Sequence, residues 1–202
     1  PMDENGMVPE HLRKSKASLV FLMPGRQYPC GLTMPAGRRG ELLAWAEEED
    51  DRFLIEDDYD SEFRYRGRPV PSLQGMDKRG RVIYMGTFSK AIAPAIRISY
   101  MVLPETLLGR FVQNCSCYSC TVSRLDQAVL GKFLREGFFE RYLNKMRRRY
   151  KQKQELVMAQ TEALKENYEL KGTGAGLHVL LSEKKTISSS AALMKREKKI
   201  AQ

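Results

Sequence analysis

Residues Gly86 to Arg97 read GTFSKAIAPAIR, and the run before them, Arg81 to Met85 (RVIYM), is β-branched and aromatic. Such a run reads as a buried strand that stops at Gly86. Thr87, Ser89 and Lys90 then fall in the turn beyond the strand's carboxyl end, which is where α/β sheets place their chemistry. A lysine after two hydroxyl side chains, with Arg97 a short way on, sets an amine nucleophile beside an anion clamp. Lys90 can form a Schiff base with a carbonyl cofactor, and Thr87, Ser89 and Arg97 can hold that cofactor's phosphate. Taken alone, a bare S-K dipeptide is more often a surface lysine in a polar turn. The segment upstream tips the reading the other way.

That segment is Phe53 to Tyr65, FLIEDDYDSEFRY. Phe53 to Glu56 reads as a short buried strand with acidic residues crowded at its carboxyl end. Residues two apart in an extended chain face the same way, so Asp57 and Tyr59 point into one site and Asp58 to the other side. An aldehyde carried on a pyridine ring needs such a pair. A carboxylate on the ring nitrogen keeps it protonated as an electron sink, and a phenol on the ring hydroxyl tunes the imine. Asp57 is the candidate for the first role and Tyr59 for the second. Without the lysine turn, the same acidic run would read as a solvated loop.

Together, EDDYDSEF, PVPSLQGMD, RVIYMGTFSK and RISYMVLP resemble the aminotransferase-like domain of the MocR/GabR group of GntR-family transcriptional regulators. That group is in turn similar to fold-type I, pyridoxal-phosphate-dependent aminotransferases. The resemblance runs from about residue 1 to 182, and the stretch from Glu56 to Pro104 is its specific part. It implies pyridoxal 5'-phosphate held as an internal aldimine on Lys90, with Asp57 on the pyridine nitrogen and Tyr59 on the ring hydroxyl. Thr87 and Arg97 contact the phosphate, with Ser89 as a weaker match. It further implies an amino-acid or amine effector, a homodimer, and DNA binding through an upstream domain outside this sequence. A free-standing aminotransferase of the same fold would share every one of these residues.

The expected fold is therefore α/β, a mostly parallel sheet with flanking helices as in the fold-type I large domain, followed by a smaller α+β part. Residues 1–136 would be a partial cofactor-binding large domain, 137–166 a long connecting helix, and 167–202 a truncated small C-terminal domain. The glycine-containing phosphate loop, the ring-stacking residue and the cross-dimer tyrosine of the relatives have no counterpart here, nor does the winged helix-turn-helix. A fragment carrying the lysine half of the site, enzymatically inactive by itself, is what these departures lead one to expect.

Of the 202 residues, 42% are hydrophobic and 29% charged, an ordinary balance for a soluble chain. No apolar run approaches membrane-spanning length, and no signal-peptide pattern opens the sequence. Four cysteines without a secretory signal fit reduced thiols and a cytoplasmic location. The net charge of +9 raises a third reading, a nucleic-acid-binding module. Its charge gathers at residues 141–153 and 184–199 with little aromatic interleaving and no DNA-binding motif, so a solvated helix surface is the plainer account.

In chain order, Asp3 to Gly6 form a turn, Pro9 to Lys14 a short helix, and Ser18 to Met23 a buried strand. PGRQYPCG follows, dense in turn residues. Arg38 to Glu49 is helical and completes a βαβ unit with parallel strands. Ile98 to Leu103 is a strand whose direction the sequence leaves open. Beyond Glu105 the pattern turns helical, with helices to about Asn114, from Ser123 to Gly137, and from Phe138 to about Tyr168. The last keeps Phe139, Tyr142, Leu143 and Met146 on one side. Cys115, Cys117 and Cys120 invite a zinc reading, but a fourth ligand is far off in sequence, and small thiols buried around a helix end are the simpler account. GTGAG at Gly172 to Gly176 precedes a strand where a phosphate loop would open a helix, so it reads as a turn. His178 alternates with Leu177 and Val179 in the strand AGLHVLLS and reads as a packed or edge histidine.

Overall fold

The computed structural model describes residues 1–184. The basic stretch 184–199 and the tail expected to follow Ser182 lie almost wholly outside the described residues.

Two short strands, β1 (Met2–Asp3) and β2 (Gly6–Met7), make an N-terminal hairpin that the sequence had suggested only as a turn. Helix α1 (Pro9–Arg13) leads into β3 (Leu19–Leu22), α2 (Ala36–Glu47) and β4 (Phe53–Asp58). A one-turn helix α3 (Leu73–Met76) breaks the loop that follows, and β5 (Val82–Thr87) runs into another one-turn helix, α4 (Phe88–Ala91). Strand β6 (Ser99–Val102) completes a four-stranded sheet in the order β3-β4-β5-β6. The first three strands are parallel, as the βαβ reading requires, and β6 is antiparallel to β5. That pairing matches Gly86 with Tyr100 and Thr87 with Ser99. It supplies backbone partners beyond Met85, which is why β5 runs through Gly86 to Thr87 and does not stop at the glycine.

One face of this sheet is closed. Leu22, Leu54 and Val82 point toward Leu42, Trp45 and Ala46 of α2 and Leu73 of α3, and all are nearly or fully buried. Period-2 alternation in the strands and period-3.6 spacing in α2 make this contact from sequence alone. Two buried charges sit at its margin. Glu56 accepts hydrogen bonds from the backbone amides of Leu73 and Gln74 and so caps α3, while Arg39 of α2 donates to the carbonyls of Met34, Pro24 and Pro71. On the other face the alternate residues of β3, Leu19 and Phe21, are half exposed.

The C-terminal half is helical: α5 (Glu105–Cys115), α6 (Arg124–Arg135) and α7 (Phe138–Gln160). Ser123 caps α6 by accepting from the Asp126 amide, and Gly137 takes the left-handed conformation between α6 and α7. Helix α7 turns Leu143, with Phe139, Tyr142 and Met146, inward as expected. It ends eight residues before Tyr168, where Thr161 Oγ1 donates back to the Val157 carbonyl and a 3-10 turn, Glu162–Leu164, follows. Strands β7 (Tyr168–Lys171) and β8 (Leu180–Glu183) form an antiparallel pair. Strand β7 is an addition to the sequence reading. Residues 177–179, expected as strand, precede β8 and are irregular because their main chain is bonded to side chains of the sheet half, as described below.

Candidate cofactor site

The parallel strands β4 and β5 end side by side, Asp57 opposite Met85 and Asp58 opposite Gly86. Alternation then decides which way each carboxylate goes. Asp57 projects from the same face as Met85 and Thr87. Asp58 projects from the opposite face, where its carboxylate accepts from the hydroxyls of Tyr84 and Ser61, each at 2.7 Å. Tyr84 is pushed well above the ordinary phenol range, by burial first and then by that bond to Asp58. Asp57 has no hydrogen-bond or ion-pair partner among the described residues, and burial, followed by the neighbouring Asp58 charge, raises its carboxyl above the usual carboxylate range.

Thr87 is the last residue of β5 and the cap of α4. Its hydroxyl accepts from the Ser89 amide at 3.1 Å and from the Ser99 hydroxyl, and donates to the Ile98 carbonyl. Ser89 is buried, and Lys90 is exposed on α4. The turn is held from behind by α7, where Tyr142 donates to the Ile92 carbonyl at 2.8 Å and Phe139 meets the Phe88 ring edge-on. Lys90 has no hydrogen bond or ion pair among the described residues, and its charge acts on Asp60 and His178. Arg97 follows the 3-10 turn Pro94–Ile96 in the left-handed region, with φ 47°. A non-glycine residue there is uncommon and strained. Arg97 is exposed and its guanidinium has no hydrogen-bond or ion-pair partner among the described residues; the next residue is Ile98, whose carbonyl is tied to both Thr87 and Phe88.

Tyr59 lies just beyond β4. Its hydroxyl donates to the Arg26 carbonyl at 3.1 Å, and burial, with the Asp60 charge second, pushes the phenol up to about 12. The charges of Asp57 and Tyr28 act on it as well. The structure thus gathers Asp57, Tyr59, Thr87, Ser89, Lys90 and the backbone of Arg97 at one end of the sheet. Thr87 differs from the expectation in one respect: its proton is already committed to Ile98.

Sequence reasoning missed the residues that close this end. Arg26, 3% exposed, lies in the turn-rich stretch PGRQYPCG, whose Tyr28–Pro29 bond is cis. Its guanidinium donates to the carbonyls of Gly172, Ala175 and His178 and pairs with Asp60 at 3.5 Å. Asp60 accepts from the Leu177 amide, and Tyr65 donates to the Gly176 carbonyl at 3.0 Å. Gly172 and Gly176, both at φ 74°, give the GTGAG turn its path, and Gly176 lies against Arg26 so closely that a Cβ would overlap the guanidinium. His178 meets the Tyr28 ring edge-on at 5.5 Å. An arginine surrounded by Gly, Pro and Tyr carries no periodic signal, so nothing in the sequence marks it as buried.

The cysteines depart from expectation too. Cys117 and Cys120 are exposed and Cys115 half-buried, because the turn after α5 lies on the surface. No group of three or more metal-ligating side chains occurs among the described residues. None of the helices described is long and apolar enough to cross a membrane.

The sequence profile described as "Aminotransferase class I and II" matches residues 10–200. The chain belongs to the class I and II aminotransferase family. Within it, the chain is 43% identical over 182 residues to the uncharacterized HTH-type transcriptional regulator YdeL of Bacillus subtilis, covering 90% of this chain and 39% of that protein. It is 42% identical over 159 residues to the probable rhizopine catabolism regulatory protein MocR of Rhizobium meliloti, covering 79% and 32% respectively. These relatives bear out the MocR-type resemblance drawn from residues 56–104. Among solved structures, the kynurenine aminotransferase of Pyrococcus horikoshii, in complex with PMP, superposes with a TM-score of 0.81 at 31% identity. The match covers 98% of this chain and 52% of that one, and it bears out the fold-type I expectation. This aminotransferase-family chain spans two-fifths or less of either regulator's length and about half of the enzyme's.

Proposed function

We propose that the chain forms the lysine-bearing part of an effector-sensing, aminotransferase-like domain of a MocR-type transcriptional regulator, with pyridoxal 5'-phosphate anchored at Lys90. One observation carries the reading. Three charged side chains at the ends of adjacent strands, the Asp57 carboxyl, the Lys90 amine and the Arg97 guanidinium, have no hydrogen-bond or ion-pair partner among the described residues. Burial makes the bare Asp57 charge costly, the Arg97 backbone is strained, and the Lys90 and Arg97 side chains stand exposed where a ligand can reach them. A ligand with a basic ring nitrogen, an aldehyde and a phosphate answers all three at once. The donor set therefore fits the group.

When bound, the cofactor supplies an electron-withdrawing ring and an aldehyde that condenses reversibly with amines. The chain supplies the rest. Asp57, whose burial disfavours a bare negative charge, is stabilised as a carboxylate by a protonated ring nitrogen. Tyr59 would face the ring hydroxyl, redirecting its proton from the Arg26 carbonyl. Arg97 and the Thr87 and Ser89 hydroxyls would hold the phosphate, Thr87 by giving up its bond to Ile98. Lys90 Nζ would be the amine nucleophile toward the aldehyde, and the α7 contacts to Phe88 and Ile92 fix where its turn sits. An amino acid or amine arriving at Lys90 is the proposed effector. DNA contact through another part of the protein, homodimerisation and a cytoplasmic location complete the proposal.

The test is spectroscopic. Pyridoxal phosphate added to the purified chain should give the absorbance of a lysine imine, and borohydride should fix the cofactor mass on the peptide containing Lys90. In Lys90→Ala both signals should vanish. Equal labelling of the two proteins would sink the proposal.

A further inference from the structure

Helix α7 is fastened along one side and bare along the other. Leu143 is buried, Tyr142 donates to the Ile92 carbonyl, Arg147 donates to the Glu62 carbonyl, and the Tyr150 ring meets Phe63 edge-on. Turned away from these contacts, Arg141, Lys145, Arg148, Arg149 and Lys153 are all exposed. Their steps of three and four residues place them in one row along the helix, about 18 Å long at 1.5 Å per residue. No acidic residue occurs between Arg141 and Lys153. None of the five has an ion-pair partner among the described residues, and the nearest ion pairs in sequence, Lys132 with Glu136 and Lys165 with Glu162, lie beyond the ends of the helix.

An ordinary solvated helix surface interleaves acids with bases. In and beside α2 it does so: Arg38 pairs with Glu41, and Arg52 pairs with Glu48 and Glu49. In α7, by contrast, Arg141, Lys145, Arg149 and Lys153 follow one another at four-residue steps, and like charges so placed weaken a helix. The helix dipole gives no relief, because it favours cations at the carboxyl end and this row starts in the first turn. A polyanion laid along the row removes the repulsion. A small anion reaches only one or two of the cations, whereas about 18 Å of duplex DNA carries about ten phosphates.

We propose that this face of α7 is an auxiliary DNA-contacting surface, which holds the phosphate backbone without reading sequence. The choice of DNA as the polyanion rests on the regulator reading given above. The row itself does not include Lys90 and needs no cofactor.

The probe is a short labelled DNA duplex of arbitrary sequence, its binding to the full chain without cofactor followed by fluorescence anisotropy at several salt concentrations. The triple variant Lys145→Gln/Arg148→Gln/Arg149→Gln should weaken binding by about tenfold or more at low salt and lower the slope of log affinity against log salt by about 2–3. A second triple variant, Lys14→Gln/Lys16→Gln/Lys78→Gln, removes the same charge from exposed positions elsewhere and should change both far less. Lys90→Ala should bind DNA as the unsubstituted chain does. Thermal melts check folding, and the α7 variant should be at least as stable as the unsubstituted chain, since its repulsion is relieved. Absence of DNA binding overturns the proposal, as do equal losses in the two triple variants. Displacement by polyglutamate as readily as by unlabelled duplex overturns it too, in favour of an acidic protein partner. Loss of DNA binding with the Lys90 imine still forming would sink this proposal alone, and the reverse result would sink only the cofactor reading.

Discussion

The closed face of the sheet and the clasp around Arg26 hold the molecule together by different means. On the closed face, Trp45, Leu42, Leu54 and Leu73 are wholly buried, and the force is non-directional apolar burial. At the clasp, a single guanidinium reaches three main-chain carbonyls more than 140 residues away in sequence, and the force is a set of directed polar bonds. The first sets where the strand ends, and hence Asp57 and Lys90, are placed. The second sets where residues 172–178 run. A core of apolar contacts degrades gradually when one is trimmed, whereas a clasp centred on one buried cation fails as a unit.

The largest effect should come from the core. Leu54→Ala is expected to cost about 2–5 kcal/mol, through lost burial and a residual cavity, read as a fall in the denaturant midpoint. Phe21→Ser, on the half-exposed face, should cost far less. Equal costs would erase the distinction between the two faces. Next comes Arg26→Met, which keeps the volume but leaves Asp60 buried without its cation, at about 3 kcal/mol. Its signature is local: amide exchange should accelerate at residues 172–178 while Leu54 and Val82 stay protected. Uniform acceleration would show that clasp and core are one unit.

The smallest effect is on pH dependence. Burial outweighs the Arg26 attraction and pushes the Asp60 carboxyl up from 3.8 to about 6. A group raised in the folded state contributes stability that is complete below pH 3.8 and is lost as pH rises through about 6. The unsubstituted chain should therefore lose stability across that window relative to Asp60→Asn, by on the order of 2–3 kcal/mol. Parallel stability curves for the two proteins would contradict this.

Local rules made the sheet half legible. Alternation separated Asp57 from Asp58, and the β-branched run before Gly86 located Lys90. The direction of β6 was not legible, because the connection through APAIR permits either pairing and only the register of Gly86 against Tyr100 settles it. Cβ space at Gly86 explains the choice of residue: the Tyr100 ring lies so close that any side chain would overlap it. The clasp escaped because its partners are remote in sequence and its acceptors are backbone carbonyls, which every residue possesses. His178 was misread as strand for the same reason, since Leu177 and His178 are held by Asp60 and Arg26 and not by a ladder.

Arg26 and Arg39 share one habit: each grasps peptide oxygens, which do not depend on side-chain identity. A grip of that kind fixes a trajectory without dictating a vocabulary. Apart from the glycines, the letters along residues 172–178 are therefore open to exchange while the course of the loop is not.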